Sequence, residues 1–306
     1  MRVVAGDIRL SASDLVGHIN CASLTSLDLK VARGILSKPL RWDPLLDILR
    51  ERGFRHERAF IEHLRSRTSS IFVVEGSDND ERSVAATLGA MKSGAEIIVQ
   101  ASLSADRWAG RADILQRVEM ASELGNWSYE VIDTKLARET KGGTVLQLCL
   151  YSEMLGRMQN ATPELAHVVA PWTDFKPKSF RLADYAAYFR KAKKSLELAT
   201  LTEADHDLYP HPIDHCDVCR WGDTCDKRRR DDDHLSFVAG ISRNQINELK
   251  ENGITTLAGL ASFAPAVDWK PKRGASQSYE KVQRQALLQF QARQQVRPHA
   301  HTRPHR

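Results

Sequence analysis

Three runs of residues, 97–103, 108–118 and 127–135, are apolar and β-branched enough to read as strands, and they constrain the chain more than any other feature. A polar stretch containing Gly125-Asn126 joins the last two as a hairpin. In a strand, side chains two apart share a face. Asp133 and Lys135 therefore point the same way as Tyr129 and Val131, which puts a carboxylate and an ammonium on an otherwise apolar face. Gly110-Arg-Ala-Asp113 lies on the neighbouring strand, so pairing of the two strands lets Asp113 and Asp133 converge on one divalent cation. Oxygen ligands of this kind suit Mg²⁺ or Mn²⁺.

The segments around this block alternate between helix and strand. Ser11-Ala-Ser-Asp14 reads as a helix start, followed by Leu15, Ile19, Leu24, Leu27 and Val31 with a stop at Gly34. Asp43-Pro44 opens a second helix that runs to Leu64, with Gly53 marking a kink or a boundary. Residues 71–74 and 165–170 read as strands, and residues 81–91, 144–158 and 183–198 as helices. This order predicts an α/β fold with a central sheet flanked by helices. A charged block at 227–233 reads as a solvated boundary, and residues 235–260 as a small all-α module. The expected division is 1–230, 235–262 and a basic, partly helical or disordered tail at 263–306.

A third cation ligand is expected on the second helix. Around Glu57, Phe54, Phe60, Ile61 and Leu64 fall at offsets that place the carboxylate in the middle of an apolar stripe. His56 lies at the edge of that stripe and is the reserve ligand. On the helix over 144–158, Gln147 and Tyr151 are four apart and share a face. Each pattern alone has an ordinary structural reading: an ion pair, a strand-end salt bridge or a polar helix face.

Of the five cysteines, Cys216, Cys219 and Cys225 are spaced C-x₂-C-x₅-C. Cys149 sits among apolar helix residues as a small hydrophobe. An odd cysteine count argues against a disulfide framework. Three clustered thiols suit Zn²⁺, with Cys21 or His215 completing a tetrahedron, and equally a [4Fe–4S] cluster. Spacing does not choose between them.

The ordered set Gly53…Glu57, Gly110-Arg-Ala-Asp113, Asp133-Thr-Lys135 and Gln147-Leu-Cys-Leu-Tyr151 resembles the RecB-like branch of the PD-(D/E)XK nucleases, over about residues 8 to 262. The resemblance implies a restriction-endonuclease-like mixed sheet. It makes Glu57, Asp113 and Asp133 metal ligands and Lys135 catalytic, and it sets Gln147 and Tyr151 along the DNA path. Many members carry His where this chain has Glu57. The CRISPR-associated RecB-like exonucleases and AddAB-type nucleases have one cysteine before the nuclease core and three after it, so the resemblance assigns Cys21, Cys216, Cys219 and Cys225 to an iron–sulfur cluster. Residues 238–257 resemble a helix–hairpin–helix unit, in which Gly240 opens the hairpin and Ser242, Arg243 and Asn244 face a phosphate.

The expected function is a Mg²⁺- or Mn²⁺-dependent DNA nuclease of repair, recombination or defence, with a single-strand exonuclease among the forms the resemblance allows. DNA is the expected partner, and a helicase or further nuclease domains are the protein partners the resemblance implies. Two alternatives stand beside it: an iron–sulfur-stapled DNA-binding subunit whose nuclease needs a helicase, and a zinc-stapled RNA-processing factor. No apolar run approaches the roughly 20 residues that cross a bilayer, and the N-terminus lacks a signal-peptide core, so a cytoplasmic protein is expected. The net charge of +5 is concentrated from Lys270 onward, where nine Lys and Arg face the single acid Glu280. Such a segment favours a polyanion.

Overall fold

The computed structural model describes residues 1–76, 80–201, 208–263, 271–272 and 274–296. Much of the basic end, including Lys270, Arg273, Arg297, Arg303 and Arg306, therefore lies outside the described residues. The chain divides into two compact units, Met1–Leu208 and Tyr209–Arg306.

The first unit opens with a hairpin of β1 (Arg2–Val4) and β2 (Asp7–Arg9). Helix α1 (Ala12–Asn20) follows, its N-terminus closed by a capping box between Ser11 and Asp14. The single helix expected here is two. Cys21 is extended, and α2 (Ala22–Ala32) begins after it. Gly17 explains the fold-back, since a Cβ there would lie 3.1 Å from Leu24 Cδ2.

Helix α3 (Pro44–Arg65) runs unbroken through Gly53, with Asp43 capping the Leu45 and Leu46 N–H groups. A cap of this kind is worth about 1 kcal/mol. No residue from Arg33 to Arg55 is buried; tertiary support for α3 begins at His56 and Phe60. The apolar stripe is therefore centred differently from the sequence reading. Phe54 is exposed, and Glu57 lies half-buried beside the buried pair rather than in the middle of it.

The rest of the unit comprises β3 (Ile71–Val73), α4 (Glu81–Lys92), β4 (Ile97–Ala105), β5 (Trp108–Val118) and β6 (Ser128–Thr134). Then come α5 (Gly142–Gln159), β7 (Leu165–Val169), β8 (Lys178–Arg181) and α6 (Ala186–Leu201). Strands β3 to β8 form one six-stranded sheet in sequence order. The pairs β3–β4 and β6–β7 are parallel and the others antiparallel, so the fold is α/β with a mixed sheet flanked by helices.

Alternation along the strands builds two cores. Ile98, Leu115, Tyr129 and Val131 pack with α1, α4, α5 and α6 on one face. Ile97, Val99, Ile114 and Ile132 pack against Phe60 of α3 on the other. Helix α5 sits so close to β5 that a Cβ on Gly110 would lie 2.5 Å from Tyr151 Cε1 and 3.1 Å from Met154 Cε.

In the second unit, α7 (Gly222–Asp231) takes in most of the block expected to be a solvated boundary. Four-residue ion pairs, Asp226–Arg230 and Lys227–Asp231, run along one helix surface and explain why so polar a segment is helical. A three-residue 3-10 turn (Leu235–Phe237), α8 (Arg243–Glu251), α9 (Leu257–Ser262) and α10 (Ser276–Val296) follow. Ile246, Leu249, Leu257, Leu260, Tyr279, Val282 and Ala286 share one core, so the Gln-rich α10 packs with α8 and α9. No helix of the described residues is long and apolar enough to cross a membrane.

Gly110→Ala forces the Cβ into the Tyr151 ring and should destabilise the first unit by roughly 1–3 kcal/mol. Urea unfolding of the variant measures it; a midpoint equal to that of the wild type contradicts the packing described.

Candidate functional site

Residues 97–134 build the floor of the site. Val99 pairs with Ile114 and Ala101 with Ala112, but the ladder skips the step between them, where Gln100 faces Asp113. Both strands also change face here. Val99 and Ile114 belong to the core beneath α3, whereas Ala101 and Ala112 belong to the core beneath α5. Gln100 takes a left-handed φ of 55°, which produces the switch.

Strands β5 and β6 pair from Val118–Ser128 as far as Ile114–Ile132 and then part. One more step of that register sets Asp113 opposite Asp133. Strand β6 continues alongside β7, with Asp133 beside Val168 and Thr134 beside Val169. The two aspartates thus come together as the hairpin reading expects, but in the fork just beyond the paired residues rather than on the ladder itself.

Asp133 is fully buried. Burial first, and then the adjacent Asp113 carboxylate, push the Asp133 carboxyl up to about 7, against the downward pull of Lys135. Lys135 Nζ lies 2.5 Å from Asp133 Oδ2, yet that oxygen has no well-directed hydrogen bond among the described residues. Asp133 Oδ1 accepts from Gln147 Nε2 at 3.4 Å, a long contact. Asp113 Oδ2 accepts two hydrogen bonds, from the Thr134 N–H and from Thr134 Oγ1, each at 2.8 Å. Glu57 reaches in from α3 and accepts from Gln100 Nε2. Its carboxyl is also raised, by burial and then by the charge of Asp113.

On α5, Gln147 Nε2 donates to Tyr151 Oη at 3.3 Å. The buried Tyr151 phenol is pushed up by desolvation and then by Asp133 and Asp113. Six sequence-predicted residues from separate elements (Glu57, Asp113, Asp133, Lys135, Gln147 and Tyr151) thus meet in one place. His56 is placed differently. Its Nε2 lies 3.1 Å from the Val169 carbonyl, which also accepts the Lys135 N–H at 3.0 Å. That nitrogen therefore braces the backbone leading to Lys135.

Gln100, Arg111 and Thr134 complete the site, and none was singled out from sequence. The available signal was a lone glutamine inside the run Ile97-Ile-Val-Gln-Ala-Ser-Leu103. Arg111 Nε donates to Gln100 Oε1 at 2.9 Å and Arg111 Nη2 to the Val74 carbonyl at 2.7 Å.

The remaining predicted residues are spread over the two units. Cys21 joins α1 to α2 in the first, half-buried. In the second, Cys216 lies in a 3-10 turn (Asp214–Asp217), Cys219 follows it and Cys225 is in α7, all half-buried. Gly240 has a φ of 77°, which an L side chain rarely adopts, and it precedes α8. Ser242 caps α8 through Gln245, and Arg243 and Asn244 are exposed in its first turn. The element before Gly240 is the single 3-10 turn, not a full helix.

Among the described residues, no three His, Cys, Asp or Glu side chains form a group arranged to hold one metal ion. The electrostatics at the fork point the other way: three carboxylates crowd together, two of them raised in part by Asp113, and one buried oxygen lacks a directed donor. Glu57 is turned to Gln100 and Asp113 to Thr134, so the oxygens are committed to protein donors rather than absent. An all-oxygen donor set with net negative charge fits a hard divalent cation.

Comparison of the chain with protein-family models returned no matching family, and comparison with curated proteins returned no match.

In chelator-treated protein, Asp133 has a folded value of about 7 against an ordinary 3.8. Its stability contribution is therefore fully present below the ordinary value and is lost as pH rises through the folded one. Asp133→Asn, neutral throughout, should raise the thermal midpoint at pH 8 by on the order of 5–10 °C and change it little at pH 4. Equal shifts at the two pH values would contradict this.

Proposed function

We propose that the first unit is a divalent-metal-dependent DNA nuclease with a restriction-endonuclease-like fold. The observation that carries the reading is the convergence of Glu57, Asp113 and Asp133, from a helix and two parting strands, beside the Lys135 ammonium. The three carboxylates crowd one another beside Lys135, Asp113 raising both of its neighbours, and a bound cation would offset that repulsion.

Glu57, Asp113 and Asp133 would hold Mg²⁺ or Mn²⁺. When bound, such an ion neutralises charge on a phosphodiester and acidifies a water molecule. The other roles fall to side chains already in place. Lys135, partly exposed at the mouth of the site, orients the attacking oxygen or offsets charge developing on the phosphorus oxygens. Gln147 on α5 would line the path of the DNA strand, and the buried Tyr151 would hold the Gln147 amide in place through its phenol oxygen. His56 and Thr134 keep the backbone and Asp113 in register.

In the second unit, the same reading assigns Cys216, Cys219 and Cys225 as thiolate ligands of a [4Fe–4S] cluster. The short spacing and half-burial of the three thiols support it. Gly240, Ser242 and Arg243 are proposed to contact the DNA backbone, supported by the exposed first turn of α8.

Purified protein should cleave labelled single- or double-stranded DNA with Mg²⁺ or Mn²⁺ and lose cleavage with chelator. Lys135→Ala should lower the rate at least 100-fold while DNA is still retained in a mobility-shift assay. Binding without cleavage by the wild type under all these conditions sinks the nuclease reading. Anaerobically purified protein should also contain iron and acid-labile sulfide with a broad visible absorbance; stoichiometric zinc with no sulfide sinks the cluster assignment.

A further inference from the structure

Gln100 is unusual in two respects. Among the described residues it is the only non-glycine residue inside a strand with a positive φ. It also interrupts the β4–β5 ladder at the one step where Asp113 must leave it. Backbone strain of this kind persists where the surroundings impose it, and it clusters at functional sites.

The side-chain geometry shows what the strain holds. An arginine can only donate, so Arg111 Nε fixes the orientation of the Gln100 amide: its oxygen faces Arg111 and its NH₂ faces Glu57. Arg111 is in turn fixed by its second bond, from Nη2 to the Val74 carbonyl. The diverging donors of a guanidinium satisfy both partners at once, which a lysine does not. The relay runs Val74, Arg111, Gln100, Glu57, and it links the end of β3 to α3 through two residues of adjacent strands. No aspartate or glutamate of the described residues forms an ion pair with Arg111, whose Nη1 is buried without an acceptor.

We propose that Gln100, oriented by Arg111, is a positioning residue that sets the Glu57 carboxylate for divalent-cation binding; this rests on the nuclease reading above. Residues that hydrogen-bond a metal-binding side chain from behind typically change metal affinity by about 10- to 100-fold when removed. A residue kept only to bridge two strands has no such effect.

The test is Mn²⁺ binding, followed by the electron paramagnetic resonance of free Mn²⁺, on the full chain. Gln100→Gly suits the left-handed backbone and removes only the side chain. It should melt within about 5 °C of the wild type and bind Mn²⁺ at least 10-fold more weakly. Arg111→Gln should weaken Mn²⁺ binding by a smaller factor. The double variant should match Gln100→Gly, because both changes act through one hydrogen bond. Wild-type Mn²⁺ affinity in a folded Gln100→Gly protein overturns the positioning role, and independent, multiplying effects of the two substitutions overturn the relay. If Lys135→Ala still loses cleavage in that case, the nuclease reading stands without it. If the wild type neither binds Mn²⁺ nor cleaves DNA, both fall together.

Discussion

Asp113 and Asp133 repel each other in a place where neither can turn fully to water, and much of the first unit is arranged around that repulsion. Strands β5 and β6 are paired up to the residue before the two aspartates and apart immediately after. Continued pairing would press two carboxylates together inside a sheet covered on both faces. Parting lets Thr134 serve Asp113 with two donors and lets Lys135 approach Asp133. The sheet gives up ladder hydrogen bonds between β5 and β6 at the fork, while the other edge of β6 stays paired with β7 through Thr134.

The helices on either face then have distinct tasks. Helix α5 must come close enough for Gln147 and Tyr151 to reach the fork, and Gly110 is what allows the approach. Helix α3 delivers Glu57 from the opposite face. Because the two faces carry separate cores, the carboxylates arrive from both sides of the sheet and meet only where the ladder is broken. A regular sheet would keep those sides apart, and the left-handed turn at Gln100 is the local price of joining them.

The sheet and the aspartate pair were legible in the sequence because they depend on local period. Strand β5 has the bounds read from its residues, and Asp113 and Asp133 follow from alternation and a hairpin. Gln147 and Tyr151 follow from helical spacing in the same way. What escaped depends on tertiary contact. Phe54, Phe60, Ile61 and Leu64 look like one stripe in sequence, but only the later part of α3 rests on the sheet, so burial centres on His56 and Phe60. The break at Cys21 comes from Leu24 closing on Gly17, a contact that no propensity encodes. Strand β8 (Lys178–Arg181) is short and polar and is defined by its pairing with β7 rather than by its own residues. Gln100 carries no local signal beyond being a lone amide in an apolar run, because its role lies in a backbone torsion and two long-range partners.

Helix α3 also has a mechanical character. It is clamped to the sheet from His56 onward and free along its first three turns, so it is a cantilever with Glu57 set beside the clamp. A load at the free end of such a beam produces its largest bending moment at the root. The carboxylate that the relay from Arg111 holds still is thus the one placed to feel whatever bends the exposed half of the helix.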